Sequence, residues 1–156
     1  MAFDVKPKFV TFDMNGTLIK FSINDAIRGV LGDRLPAEVA DDYLQACKAY
    51  RIDECMGDYQ PFHRIVVNSM QRASRRVGLE FRVADARAVY EIVPTWGPYP
   101  GVTEALNRLA EEVPLVIITN SDTTDAVRLA ENLQPSRRLT SRVPRTVCAV
   151  SSAATL

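Results

Sequence analysis

Two short apolar segments, far apart in the sequence, each run directly into a cluster of polar residues. The first, residues 8–13, is rich in β-branched and aromatic side chains and stops at an Asn-Gly turn. The second, residues 114–119, continues into the polar residues 120–122. Continuous apolar runs of this length, bounded by turn residues, are typical of strands covered on both faces of a parallel sheet. Because ligands bind beyond the carboxyl ends of such strands, the two polar clusters predict the position of a site.

The stretch between these strands shows only helical periodicity. Across residues 23–93, apolar side chains recur at steps of three and four, as on one face of an α-helix. Glycine and proline interrupt the pattern near residues 32–36, 57–61 and 78–81, where helices are expected to end. Because amphipathic helices need a partner surface, the pattern predicts three or four helices packed as a small bundle.

A loop rich in proline and glycine, residues 94–101, follows the helical stretch and predicts a return to the strand-containing part of the chain. The next segment, residues 102–112, predicts a helix, and another begins after the second strand with Asp122 or Ser121 as its N-cap. That last helix is predicted to carry the apolar residues Ala126, Val127, Ala130 and Leu133.

The polar cluster after the first strand, Phe-Asp-Met-Asn-Gly-Thr-Leu at residues 12–18, carries the strongest chemical signal. Asp13 directly follows the strand, and a carboxylate held this way can act as a nucleophile and form an ester intermediate. Gly16 permits a tight turn, and the Thr17 hydroxyl can hydrogen-bond into the site. On its own, the same pattern also fits a strand end closed by an Asx-type turn.

These seven residues resemble the first motif of the haloacid dehalogenase superfamily, D-x-x-x-[TV] after a hydrophobic strand, in which the Asp is the nucleophile. Residues 115–121 resemble the second motif, with Thr119 in its hydroxyl position. The helical stretch is similar to the cap that this family inserts between the two motifs. The loop at residues 96–101 is similar to the family's re-entry loop.

The resemblance implies an α/β fold, an incomplete Rossmann-like parallel sheet core with an inserted helical cap. The core is expected to comprise residues 1–19 and 95–133, and the cap residues 20–94. The remaining residues, 134–156, contain four arginines and no Lys, Asp or Glu, and we expect them to form a disordered tail.

The third position of the first motif separates two branches of the family. Phosphatases resemble D-x-D-x-T, whose second Asp is the general acid/base for the leaving group. Here that position is Asn15, which cannot take this role. The chain resembles the 2-haloacid dehalogenases more closely, since they carry a non-acidic residue there, followed by Gly-Thr.

The resemblance to 2-haloacid dehalogenases implies displacement of halide from a 2-haloalkanoic acid by Asp13, followed by hydrolysis of the aspartyl ester. It implies neither a metal nor another cofactor. By the same resemblance the catalytic residues are Asp13, Thr17, Thr119 and Asn120. The expected substrate-binding residues are Met14, Asn15 and Trp96, although Trp96 could equally pack against the cap.

Two features depart from the family pattern. Residues 41–48, where the dehalogenases carry a halide-binding Arg, contain none; Arg51 or Arg64 could substitute. After Leu133 neither the Lys of the third motif nor the acidic cluster of the fourth is found. We therefore expect a truncated or frame-shifted coding sequence and impaired activity.

Composition narrows the remaining function classes. The formal net charge is zero, which argues against a dedicated nucleic-acid binder, and no apolar run is long enough for a transmembrane helix. Three cysteines without a C-x-x-C pair argue against a disulfide scaffold or a cysteine zinc site and favour the cytoplasm.

The expected partner is a small-molecule substrate, with a homodimer possible. Two alternatives stay open: a magnesium-dependent phosphatase of the same superfamily, and a non-catalytic chain that oligomerises through an exposed sheet edge.

Overall fold

The computed structural model describes residues 7–119, 121–133 and 147–149. In chain order the strands and α-helices are β1 (Val10–Phe12), α1 (Ile23–Leu31), α2 (Ala37–Met56), α3 (Phe62–Val77), α4 (Val83–Ile92), α5 (Val102–Ala110), β2 (Leu115–Thr119), α6 (Thr123–Asn132) and β3 (Val147–Ala149). The chain divides into two compact units. The sheet unit comprises the described residues up to Phe21 and from Thr95 onward, and the helical unit comprises Ser22–Pro94.

The three strands form one parallel sheet in the order β1, β2, β3. Val10 lies opposite Leu115 and Phe12 opposite Ile117. The carboxyl ends of β1 and β2 therefore meet at the same edge of the sheet, and the polar residues that follow each strand lie near one another. The predicted fold class, a parallel α/β sheet with an inserted helical region, is confirmed.

The strand β3 lies within the segment for which the sequence predicts disorder. Residues 147–149 pair in parallel with β2, Cys148 opposite Ile118. Three residues are too few to show a strand period, and pairing with a neighbouring strand decides whether they adopt one. Residues 134–146 and 150–156 lie outside the described residues.

An apolar cluster lies at the centre of the described part of the sheet unit. Its buried members come from the loop after β1 and from the α6 segment, and side chains from β1, β2, α5 and the loop before α5 pack against them. Among the apolar residues of α6, Val127 is 44% exposed, whereas Leu129 is fully buried. The apolar residues of α6 fit more than one stripe, and packing selects the one at i, i+3 and i+7. The buried members are Met14, Leu18, Ile19, Ala126, Leu129 and Leu133.

The helical unit contains four α-helices where the sequence predicts three or four. Helix α2 packs along α3, and α1 packs against α4. Tyr43 and Cys47 of α2 and Val66 and Met70 of α3 are almost completely buried. Helix α3 ends at Gly78, whose φ of +71° lies in the left-handed region that glycine adopts without a steric penalty.

A polar network joins the carboxyl-terminal end of α2 to α3. The Glu54 carboxylate accepts hydrogen bonds from Gln60 Nε2 at 2.8 Å, Asn68 Nδ2 at 2.9 Å and Arg72 Nη1 at 2.9 Å. The Arg72 guanidinium also contacts Asp53 at 2.6 Å. Hydrogen bonding from Asn68, with further bonds from Gln60 and Arg72, outweighs desolvation and lowers the pKa of Glu54 below its ordinary value of 4.5.

This network predicts a pH-dependent contribution to the stability of the helical unit. Because the pKa of Glu54 is lowered on folding, its contribution is present above pH 4.5 and is lost as the pH falls through the lower, folded-state pKa. We expect Glu54→Gln to reduce the free energy of unfolding by about 1–3 kcal/mol at neutral pH. The difference between wild type and variant should shrink at about pH 3.

Denaturant titrations followed by far-ultraviolet circular dichroism would measure both differences. Glu91→Gln, which changes an exposed glutamate on α4, is the matched control and should be nearly neutral. An equal loss of stability for Glu54→Gln at both pH values would contradict the role assigned to its charge.

Candidate functional site

The loop after β1 is a tight turn built around one carbonyl group. The backbone N–H groups of Leu18 and Ile19 both donate to the Met14 carbonyl oxygen at 2.9 Å, and the Gly16 N–H donates to the Ile19 carbonyl at 2.8 Å. Gly16 has a φ of +86°, a conformation that strains any residue with a Cβ atom. The backbone conformation of this turn is therefore the reason for the glycine that the sequence analysis associates with a tight turn.

The turn places Asp13 and Thr17 side by side. The Thr17 Oγ1 hydroxyl donates to Asp13 Oδ2 at 3.0 Å, and the Asp13 side chain is exposed at the carboxyl end of β1. The hydrogen bond orients the carboxylate without burying it. An oriented and accessible carboxylate is chemically suited to nucleophilic attack.

The proline- and glycine-rich loop fixes the far side of the turn. The Lys20 N–H donates to the Gly97 carbonyl at 3.0 Å, and the Tyr99 N–H donates to the Leu18 carbonyl at 3.1 Å. These bonds pair the residues that follow the turn with the loop that leads into α5. The return loop thus supports the turn that carries Asp13.

The end of β2 provides the second half of the site. Thr119 is 2% exposed; its Oγ1 accepts a hydrogen bond from the Ser121 N–H at 3.2 Å and lies 3.3 Å from Ser121 Oγ, to which it donates. Asn15 Nδ2 donates to the same Ser121 Oγ at 2.6 Å. Ser121 therefore connects the loop after β1 to the end of β2.

Ser121 is the site residue that sequence reasoning missed. The sequence offers it as an alternative N-cap for α6 and as the last residue of the segment that resembles the second motif, without a role in the site, whereas the structure has Asp122 at the N-cap position. Its contact with Asn15 spans 106 positions in the sequence, and no local pattern can predict a pairing of that separation. The only available signal is its position two residues beyond a strand that ends in Thr119.

Met14 lies in a different place from the one expected. Its side chain, predicted to line a substrate pocket, is 0% exposed and belongs to the apolar cluster of the sheet unit. Successive side chains of an extended chain point to opposite sides. With Asp13 exposed, the next side chain is directed into the core.

Trp96 contributes packing in the sheet unit. It is half-buried against the apolar cluster, and its ring meets the Phe21 ring edge-on with 5.0 Å between centroids. Its backbone carbonyl accepts a hydrogen bond from Asn132 Nδ2 at 2.9 Å. Asn120, predicted to be a catalytic residue, lies outside the described residues.

The two arginines considered for halide binding both lie in the helical unit. Arg51, on α2, is half-buried, and burial lowers the pKa of its guanidinium although nearby Cys47 and Cys55 act in the opposite direction. Arg64, on α3, is exposed.

The described residues offer neither a metal-binding cluster nor a membrane-spanning helix. They contain no group of three or more His, Cys, Asp or Glu side chains arranged to hold a metal ion. Within the described ranges, every helix is too short or too polar to cross a bilayer.

Comparison with known proteins identifies relatives by family and by fold. A family model described as haloacid dehalogenase-like hydrolase matches residues 7–143. No curated protein matches the chain. The L-2-haloacid dehalogenase from Xanthobacter autotrophicus, solved with chloropropionic acid covalently bound, is 19% identical with a TM-score of 0.62. That match covers 90% of this chain and 56% of that enzyme.

A second solved structure, the L-2-haloacid dehalogenase RSc1362, is 17% identical with a TM-score of 0.71. Its match covers 96% of this chain and 69% of that protein. At these identities the likeness shows a shared fold. The chain spans little more than half the length of the Xanthobacter autotrophicus enzyme.

Proposed function

This chain belongs to the haloacid dehalogenase-like hydrolase family, and from that premise we propose that it hydrolyses 2-haloalkanoic acids through a covalent ester on Asp13. The observation that carries the proposal is the geometry of the nucleophile. The Asp13 carboxylate is exposed at the carboxyl end of a parallel strand and is held by the Thr17 hydroxyl at 3.0 Å.

The proposed reaction has two steps. In the first, an Asp13 carboxylate oxygen bonds to C2 of the haloacid while the carbon–halogen bond breaks, and halide leaves with the bonding electrons. In the second, water adds to the carbonyl carbon of the ester. The 2-hydroxy acid is released, the Asp13 carboxylate is restored and a proton passes to solvent.

The other site residues have supporting roles in this proposal. Thr17 orients the nucleophile, and Thr119, buried at the end of β2, holds the second strand end next to the first loop. Asn120 is proposed to act with Thr119 on the substrate carboxylate, by resemblance to the second family motif.

Asn15 favours carbon–halogen cleavage over phosphate-ester cleavage. An amide cannot protonate a departing alkoxide, as the second Asp of a phosphatase motif does, and the Asn15 Nδ2 group already donates to Ser121. A halide ion is a stable leaving group and needs no such proton. The residue at this position therefore suits halide displacement.

Incubation with 2-chloropropionate and 2-bromopropionate tests the proposal, since chloropropionic acid is the group bound covalently in the Xanthobacter autotrophicus structure. We expect halide release, or an Asp13 peptide heavier by one carboxyethyl group if ester hydrolysis is slow. In heavy-oxygen water, a single turnover should place the label in Asp13, because water attacks the ester carbonyl.

Peptide mapping is needed because Cys55 is an exposed thiol that haloacids can alkylate directly. Cys55→Ser removes this background and should leave the Asp13 product unchanged. If the Cys55→Ser protein forms neither halide nor an Asp13 ester, the proposal is refuted. Magnesium-dependent phosphate release from a phosphomonoester would assign the site to the phosphatase branch instead.

A further inference from the structure

We infer that Ser121 is a positioning residue for the Asp13 nucleophile, acting by tying the loop after β1 to the end of β2 through Asn15. The inference rests on the proposed function, because Asp13 is its reacting group. The hydrogen bonds of Ser121 join it to Asn15 and Thr119, so its effect on Asp13 passes through the turn that carries Asp13 and Thr17.

The tie consists of short contacts between side chains from the two strand ends. Asn15 Nδ2 donates to Ser121 Oγ at 2.6 Å, the shortest contact of the site. Ser121 in turn meets Thr119 twice, through its backbone N–H at 3.2 Å and through its hydroxyl at 3.3 Å. Thr119 is buried, so the tie is anchored to a fixed point at the end of the central strand.

The position of Asn15 explains how the tie can act on the nucleophile. Asn15 lies midway between Asp13 and Thr17, in the turn that Gly16 closes. Its side chain links this turn to β2, while the backbone bonds around the Met14 carbonyl hold the turn only to itself. Without the Ser121 hydroxyl, the turn loses this side-chain link, and the Asp13 carboxylate, one residue beyond the paired end of β1, is held less firmly relative to β2.

The oxygen atom of the Asn15 side-chain amide also indicates that this residue is present for a functional reason. Asn15 Oδ1 is buried and has no hydrogen-bond partner within the described part of the chain. A buried acceptor without a partner destabilises the folded state, and an apolar side chain at this position would avoid that penalty. Asn15, unlike an apolar side chain, donates a hydrogen bond from Nδ2 to Ser121.

The test compares ester formation on Asp13 in Ser121→Ala with two other variants. We expect Ser121→Ala to lower the maximal rate of ester formation roughly tenfold and to leave the half-saturating haloacid concentration unchanged. Ser121→Thr keeps the hydroxyl and should restore most of the rate. Thr103→Val removes the hydroxyl that donates to the Leu133 carbonyl elsewhere in the sheet unit and should leave the rate unchanged.

A second measurement separates failure of this inference from failure of the proposed function. Hydrogen exchange by NMR should show slow exchange for the Asn15 side-chain amide in wild type and faster exchange in Ser121→Ala. If wild type forms no ester, the proposed reaction is wrong and the exchange rates alone decide whether the tie exists. Unchanged exchange, or an unchanged rate of ester formation in Ser121→Ala, overturns the inference.

Discussion

Asp13→Asn is expected to lower ester formation and halide release by roughly four orders of magnitude or more, the usual loss when a covalent nucleophile is removed. The substitution keeps the shape of the side chain, and the Thr17 hydroxyl can donate to the new amide oxygen as it does to Asp13 Oδ2. Only the nucleophilic charge is lost. Halide release and intact mass, both measured with 2-bromopropionate in the Cys55→Ser background, give the two readouts.

The controls for this experiment follow from the exposure of Asp13. Because the side chain is exposed, the free energy of unfolding should change by no more than about 0.5 kcal/mol, so a loss of activity cannot come from unfolding. Thr17→Ser keeps the orienting hydroxyl and should retain most of the rate, whereas Thr17→Val should lose roughly tenfold. Substantial turnover by Asp13→Asn would refute Asp13 as the nucleophile.

The sequence predicts this part of the site well because its determinants are local. The apolar run before Asp13, the glycine three residues after it and the hydroxyl of Thr17 all lie within residues 8–17. The resulting geometry, including the positive φ of Gly16 and the bond from Thr17 to Asp13, depends on little else. The positions at which helices of the helical unit end are also determined by local sequence. Gly78, for example, ends α3 through its own backbone conformation.

The features that the sequence does not predict depend on distant partners. The bond between Asn15 and Ser121 joins residues 106 positions apart, and β3 depends on pairing with β2. The Met14 side chain is directed into the core because the preceding Asp13 side chain is directed outward. The outward direction of Asp13 is fixed only by its place at the edge of the sheet. In each case the residue type permits several arrangements, and packing or pairing selects one of them.

The face of α6 gives the clearest measurable case of this selection. Leu129 is fully buried in the apolar cluster, whereas Val127, two residues earlier, is 44% exposed, although both are apolar residues of the same helix. We expect Leu129→Ala to reduce the free energy of unfolding of the sheet unit by about 2–5 kcal/mol, since it removes buried methyl groups and leaves a cavity. Val127→Ala should change it by less than about 0.5 kcal/mol.

Tryptophan fluorescence is the right probe for this comparison. Trp96 is the only tryptophan in the chain, and it packs against the same cluster as Leu129, so its emission reports unfolding of the sheet unit separately from the helical unit. Both substitutions are on one helix and both introduce alanine, which favours helix formation over valine by a few tenths of a kcal/mol. Helix propensity therefore cannot produce a large loss in Leu129→Ala alone. Equal effects of the two variants, or a larger effect of Val127→Ala, would contradict the buried face of α6 that the structure shows.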